Sequence, residues 1–215
     1  EDRASFYKKL HPKTNKVICG DIRDNSIKKQ IIKSCKDFGP IDLVLATPPC
    51  QGMSVANATK KSNDSRNTLI IHAMEVFNKV KAKYMLIENV PQMGKTYHEG
   101  NIINIIDFIQ SQLPKDYICH YNVLNAQNYG TPQSRSRSIC LISKNGKWKH
   151  PKPRPHTKTL RDAIGNPKKF KSLSNGEHSD KKWHFASKHN PHHIIWMTNT
   201  PTGNTAFDNK IHYPK

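Results

Sequence analysis

Short runs of apolar and β-branched residues recur through the first 143 residues, separated by longer stretches whose apolar positions fall at helical spacing. The runs are Val17–Cys19, Leu43–Ala46, Tyr84–Ile87, Ile118–Val123 and Ser138–Ser143. Between them, Ser26–Cys35, Leu69–Val80 and Ile102–Leu113 carry apolar residues three and four apart, as Ile102, Ile105, Ile106 and Ile109 do. A chain that alternates strands with one-sided helices buries both only by laying helices on the faces of a sheet. The spacing therefore predicts an α/β fold with a largely parallel sheet. In such sheets ligands gather at the carboxyl ends of the strands. Gly20-Asp21, Thr47-Pro48-Pro49-Cys50 and Glu88-Asn89-Val90-Pro91 stand at those ends.

The pattern changes near Ser143. Residues 1–143 hold 20 basic and 12 acidic side chains, residues 144–215 hold 15 and 4, and eight of the twelve histidines fall in the second part. Three prolines in Trp148–His156 forbid a helix or a central strand there. The expected division is a catalytic domain over 1–143, a linker or extended arm over 144–158, and the start of a loop-rich region over 159–215. Within the last, Thr159–Gly165 reads as a short capped helix ending at glycine.

A formal charge of +19 on 215 residues points to a polyanionic partner, most often nucleic acid. No apolar run reaches the roughly 18 residues of a membrane span, and Glu1-Asp2-Arg3-Ala4 lacks a signal-peptide core. The five cysteines are widely spaced without a C-x-x-C pair, which fits a reducing compartment and no disulfide framework. Cys19 and Cys140, inside apolar runs, are expected in the core. His184, His189, His192 and His193 lack cysteine or acid at ligand spacing and are expected to face phosphate or solvent, so no metal site is predicted.

Cys50 follows Pro48-Pro49 at a strand end, where a thiol on a stiff loop is either structural or, exposed in a positive setting, a nucleophile. Glu88 ends an apolar run and would emerge at the same edge, as a solvated acid or as a carboxyl that carries a proton. Gln133, Arg135 and Arg137 alternate into the strand at 138–143, which puts them on one face if extended. Two arginines there are either solvated or matched to an anion or a polar base.

These residues together resemble the DNA (cytosine-5)-methyltransferase family. Leu45–Ser54 resembles its Pro-Cys-Gln loop, Glu88-Asn89-Val90 its Glu-Asn-Val motif, and Asn128–Arg137 its Gln-x-Arg-x-Arg motif, in the family's order. Asp64–Leu69 and Val17–Asp24 are similar to further family segments, and Thr159–Gly165 and Trp183–Pro214 to the stretch leading into its target recognition region. The resemblance implies a Rossmann-like methyltransferase sheet with helices on both faces, followed by part of a small loop-rich DNA-recognition domain. It implies S-adenosylmethionine as cofactor and a cytosine flipped from double-stranded DNA as substrate. By resemblance Cys50 adds to C6 of the base, Glu88 engages N3, and Arg137, helped by Arg135, steadies charge near O2. Asp21, Ile22, Pro49 and Leu69 would line the cofactor site. Glu1 stands at the spacing of the acid that holds the ribose, although anchoring on Tyr7 and His11-Pro12 puts that acid upstream. Gln51, Ser54, Arg66 and Gln133 would contact DNA.

The family's glycine-rich opening loop and its C-terminal end have no counterpart in these residues. The expected protein is a restriction–modification methyltransferase acting in a cytoplasm, associated with the nucleoid, or in a nucleus if the source is eukaryotic. The alternatives are a DNA-binding remnant or one subunit of a split enzyme completed by a second polypeptide. An RNA substrate is disfavoured by Met53-Ser54.

Overall fold

The computed structural model describes residues 2–49, 69–98 and 101–209. They divide into two compact units, Glu1–Thr157 and Lys158–Lys215. Among the described residues no helix is long and apolar enough to cross a membrane.

The first unit runs α1 (Asp2–Leu10), α2 (Asn25–Phe38), β1 (Leu43–Ala46), α3 (Leu69–Val80), β2 (Tyr84–Asn89), β3 (Lys95–His98), β4 (Asn101–Asn104), α4 (Ile105–Gln112), β5 (Tyr117–Asn125) and β6 (Ser136–Lys144). Four strands form one sheet in the order β1-β2-β6-β5, and β3 pairs with β4 in a separate antiparallel hairpin. β1 runs parallel to β2, while β6 is antiparallel to both β2 and β5. The sheet is mixed rather than largely parallel. The connection at 126–135 is too short for a crossover, so β6 must return beside β5 in the opposite sense.

Alternation along β2 sends Met85 and Ile87 to one face, where they meet Ile70, Ala73, Met74 and Phe77 of α3, Ile105 and Ile109 of α4, and Cys140 and Ile142 of β6. All of these are buried, so the apolar stripes of the two helices close on the sheet. Truncating one of the fully buried isoleucines would cost about 2–5 kcal/mol through lost transfer energy and the cavity left behind.

Three sequence expectations change. Val17–Cys19 forms no strand and Cys19 is exposed. β1 is bonded to β2, and the apolar character of this run instead serves α2, where Ile18 shares a groove with Ile31, Cys35 and Phe38. The helix expected over Ile102–Leu113 begins only at Ile105, because the Asn104 side chain accepts from the Ile106 N–H at 3.0 Å and caps it there. Ile102 and Ile103 belong to β4 instead, an apolar periodicity that suits either element over so few residues.

The proline-rich arm after β6 is bound to the sheet. The Trp148 ring meets Tyr84 edge-on at 5.7 Å, and the Trp148 backbone N–H donates to Ser143 Oγ at 2.9 Å. His150 Nε2 donates to the His120 carbonyl at 3.0 Å, and Tyr129 Oη to the Pro151 carbonyl at 3.4 Å.

The second unit carries α5 (Leu160–Ile164) and α6 (Pro191–Asn199) among loops. The short capped helix expected over Thr159–Gly165 is α5, with Gly165 at its C-cap, and Thr159 and Asp162 close its start as a capping box. The α6 helix is not foreseen in a region expected to be loop-rich; Pro191 occupies its first turn, where no N–H is needed. A bridge between His178 and Phe185 closes a tight turn whose Trp183 has φ 67°.

Candidate active site

The strand directions decide which residues meet. Parallel β1 and β2 end at the same edge of the sheet, antiparallel β6 begins there, and β5 ends there. Thr47-Pro48-Pro49, Glu88-Asn89, Ser136-Arg137 and Asn125 are therefore neighbours along one rim.

At its centre Arg137 Nε lies 2.9 Å from Glu88 Oε1. Glu88 is paired in register with Ile139, so Arg137 is its diagonal neighbour on the same face, within reach of a long side chain. Arg137 Nη1 also donates to the Ser136 carbonyl at 2.8 Å, leaving the guanidinium little freedom to turn. Both side chains are partly exposed, at 25% for Arg137 and 34% for Glu88, so the pair faces outward rather than into the core.

The next residue points the other way. Asn89 is buried, and its Nδ2 donates to the Pro48 carbonyl at 3.0 Å while its Oδ1 accepts from the Val90 N–H at 2.7 Å. One amide thus ties the chain leaving β1 to the chain leaving β2. Opposite Asn89 in register, buried Ser138 shares a hydrogen bond with Tyr121 Oη at 2.9 Å, which fills the polar needs of that end of the core.

Arg135 and Gln133 are exposed and precede β6 instead of continuing it. Their loop is closed by Asn125, whose Oδ1 accepts from the N–H groups of Gln127 and Arg135 at 3.1 and 3.0 Å and whose Nδ2 donates to Ser134 Oγ. The Ala126 N–H adds a bond to the Arg135 carbonyl at 3.0 Å. The single extended face expected for Gln133, Arg135 and Arg137 does not form, because this clamp turns the backbone before the strand begins.

Beside the rim lies an apolar cavity of about 350 Å³, lined by Ile22, Ile31, residues 44–49, Leu69, Ala73 and Val76. Ile22, Pro49 and Leu69, three of the expected cofactor residues, share it. Asp21 adjoins it in sequence and is held by Arg23 through bonds to the backbone N–H at 2.9 Å and Nε at 3.0 Å. The side-chain hydrogen bond from Arg23, followed by its backbone N–H, lowers the Asp21 pKa to about 2, so the carboxylate stays an acceptor at neutral pH. An apolar cavity whose Ile22 is preceded in the chain by an ionised acceptor is chemically suited to an adenine ring, whose faces are apolar and whose amino group donates.

Cys50, Gln51, Ser54, Arg66 and Glu1 lie outside the described residues. Asn89 and Asn125 hold the rim's loops by hydrogen bonds that the sequence reading did not foresee: Asn89 entered it only as part of a motif and Asn125 not at all. An asparagine at the end of an apolar strand was their signal, since a short amide there bonds nearby backbone.

The sheet with α3 and α4 packed on it is a Rossmann-like α/β fold, and the carboxylate–guanidinium pair stands at its edge, one strand from the apolar cavity. Two solved structures that this chain resembles share the fold. One is a protein of an Escherichia coli prophage assigned as a DNA modification methyltransferase, with TM-score 0.54 and 22% identity over 88% of this chain and 53% of that one. The other is the Entamoeba histolytica methyltransferase EhMeth, with TM-score 0.54 and 19% identity over 76% and 49%. Residues 1–215 match the C-5 cytosine-specific DNA methylases, and the chain belongs to that family. Similar relatives are the type II methyltransferases M1.HgaI of Avibacterium volantium, 37% identical over 99% of this chain, and M.XorII of Xanthomonas oryzae, 36% identical over 59%. The chain spans 60% of the length of the first and 30% of the second.

Proposed function

We propose that this chain carries the catalytic machinery that methylates C5 of a cytosine flipped out of double-stranded DNA, at a specific sequence and within a restriction–modification system. What supports the reading is the Glu88–Arg137 pair on the same rim as the Asn89-held Pro48-Pro49 loop, in a chain of this family. The cofactor would sit in the slot of Ile22, Pro49 and Leu69 beside Asp21, and would supply an electrophilic methyl group there. Unit Glu1–Thr157 would be catalytic and unit Lys158–Lys215 would begin the recognition region.

Cytosine C5 is a weak nucleophile until electron density is pushed onto it. Cys50, as thiolate, forms a bond to C6, and the ring electrons move to C5 and N3. Glu88 donates a hydrogen bond or proton to N3, and Arg137, with Arg135 alongside, balances the charge that develops toward O2. Once C5 bears the methyl group, loss of its proton to a base restores the double bond and expels Cys50 as thiolate. Gln51, Ser54, Arg66 and Gln133 would hold the DNA around the extruded nucleotide. Such an enzyme acts on the nucleoid in a cytoplasm.

The exposed apolar Leu43 of β1 favours one variant of this reading: that a second polypeptide packs against this strand in a split enzyme. The test is covalent trapping on duplex DNA containing 5-fluorocytosine with labelled S-adenosylmethionine. An adduct with the chain that Cys50→Ser abolishes is expected. An adduct that forms only after a second polypeptide is added would identify a split enzyme, and none under either condition would overturn the reading.

A further inference from the structure

The arm that follows β6 does more than connect two units. From Trp148, seated on Tyr84 at one end of the sheet, it passes His120 and reaches the loop that precedes the catalytic strand. There the Arg154 N–H donates to the Asn128 carbonyl at 2.8 Å. Its guanidinium rests on Gly130. A Cβ at that glycine would stand 3.0 Å from Arg154 Nη1 and 3.2 Å from Cδ and Cζ. Gly130 has φ 90°, so both its conformation and the bare surface under the arginine depend on the missing side chain.

Arg154 is exposed, and no carboxylate among the described residues pairs with it. An arginine laid flat on backbone has already lost much of its rotamer freedom, and its outer N–H groups form a preset fork for a planar or tetrahedral anion. The loop beneath it is the one that Asn125 locks to Arg135. Prolines at 151, 153 and 155 alternate with Lys152, Arg154 and His156, which stiffens the arm and gives it a cationic edge.

We propose that Arg154 is a phosphate-binding residue, anchoring the backbone of the DNA strand at the rim where Glu88 and Arg137 meet. The inference rests on the methyltransferase reading and adds a contact outside the family motifs. A phosphate contact positions the duplex without reading its sequence.

The test measures binding of fluorescent cytosine-containing duplexes by anisotropy across a series of KCl concentrations. Arg154→Ala should weaken binding by a similar factor for every duplex and make the plot of log affinity against log salt shallower by about one. Arg154→Lys, which keeps the charge, should restore most of that slope. Arg154→Gln keeps a planar head over Gly130 without charge and should lose the slope as alanine does, which separates a phosphate contact from a loosened arm. If the wild type binds duplex and traps fluorocytosine while Arg154→Ala and Arg154→Gln keep its slope and affinity, this assignment fails alone. If the wild type shows no salt-dependent duplex binding, both this assignment and the methyltransferase reading fall.

Discussion

Asn89 Nδ2 donates to the Pro48 carbonyl across 3.0 Å, so the end of β2 holds the chain where it leaves β1. Glu88, the residue before it, faces the opposite side of the sheet and meets Arg137. Two adjacent residues thus make different ties: one holds the Pro48 carbonyl, the other turns its carboxylate to Arg137.

Asn89→Ala removes a buried donor and leaves the Pro48 carbonyl without its partner. Urea denaturation should register a loss of about 1–3 kcal/mol. Fluorocytosine trapping should fall further than the loss of folded protein accounts for. A variant that melts lower but traps at the normal rate per folded molecule would remove Asn89 from the positioning role.

Glu88 and Arg137 should act as a unit. Glu88→Gln and Arg137→Ala are each expected to slow adduct formation at least tenfold. The double variant should be little worse than the poorer single one, because residues serving one step lose their effect together. Multiplicative losses in single-turnover trapping would mean that the two act independently.

Asp21 has a folded pKa of about 2 against an ordinary 3.8, owing first to the Arg23 side chain. The folded value lies below the unfolded one, so the stabilising contribution is complete above about pH 4 and fades as pH falls through about 2. Carboxyl NMR titration should place the Asp21 midpoint near 2, and Arg23→Ala should move it up toward the ordinary range. Cofactor binding should then show no acid limb from Asp21 between pH 5 and 8. A midpoint that ignores Arg23 would break the link.

Ala73 lines the apolar slot from α3. Ala73→Leu puts three more carbons into that space, at a cost of about 1–3 kcal/mol if the core resists them. Titration calorimetry should show S-adenosylmethionine binding weakened at least tenfold, with duplex affinity retained. Normal cofactor affinity would place the adenine elsewhere.

Much of the fold around this site was legible in the amino-acid order. The runs at 43–46, 84–87, 118–123 and 138–143 and the helix at 69–80 lie where periodicity puts them, because short apolar runs alternating with a longer one-sided stretch fit one another as strands and helix. Val17–Cys19 misled because three apolar residues can pack against a helix as readily as pair in a sheet. Ile102 and Ile103 misled because a spacing of three and four does not say where Asn104 will cap. Gln133 and Arg135 were drawn into the strand by alternation, while the turn before β6 depends on Asn125, a residue eight to ten positions away.

The amino-acid order by itself determined the alternation of strands and helices, the basic balance, and the motifs that name a thiol, an acid and two arginines as partners. These are local properties, set by neighbours in the chain and by side-chain chemistry. The tertiary structure alone decided that β6 returns antiparallel, which brings Arg137 to Glu88 from 49 positions away. It also decided that Asn89 clamps Pro48 and that a proline-rich arm lays Arg154 over Gly130. Such contacts depend on strand direction and register, which emerge only when distant segments bury their apolar faces against one another.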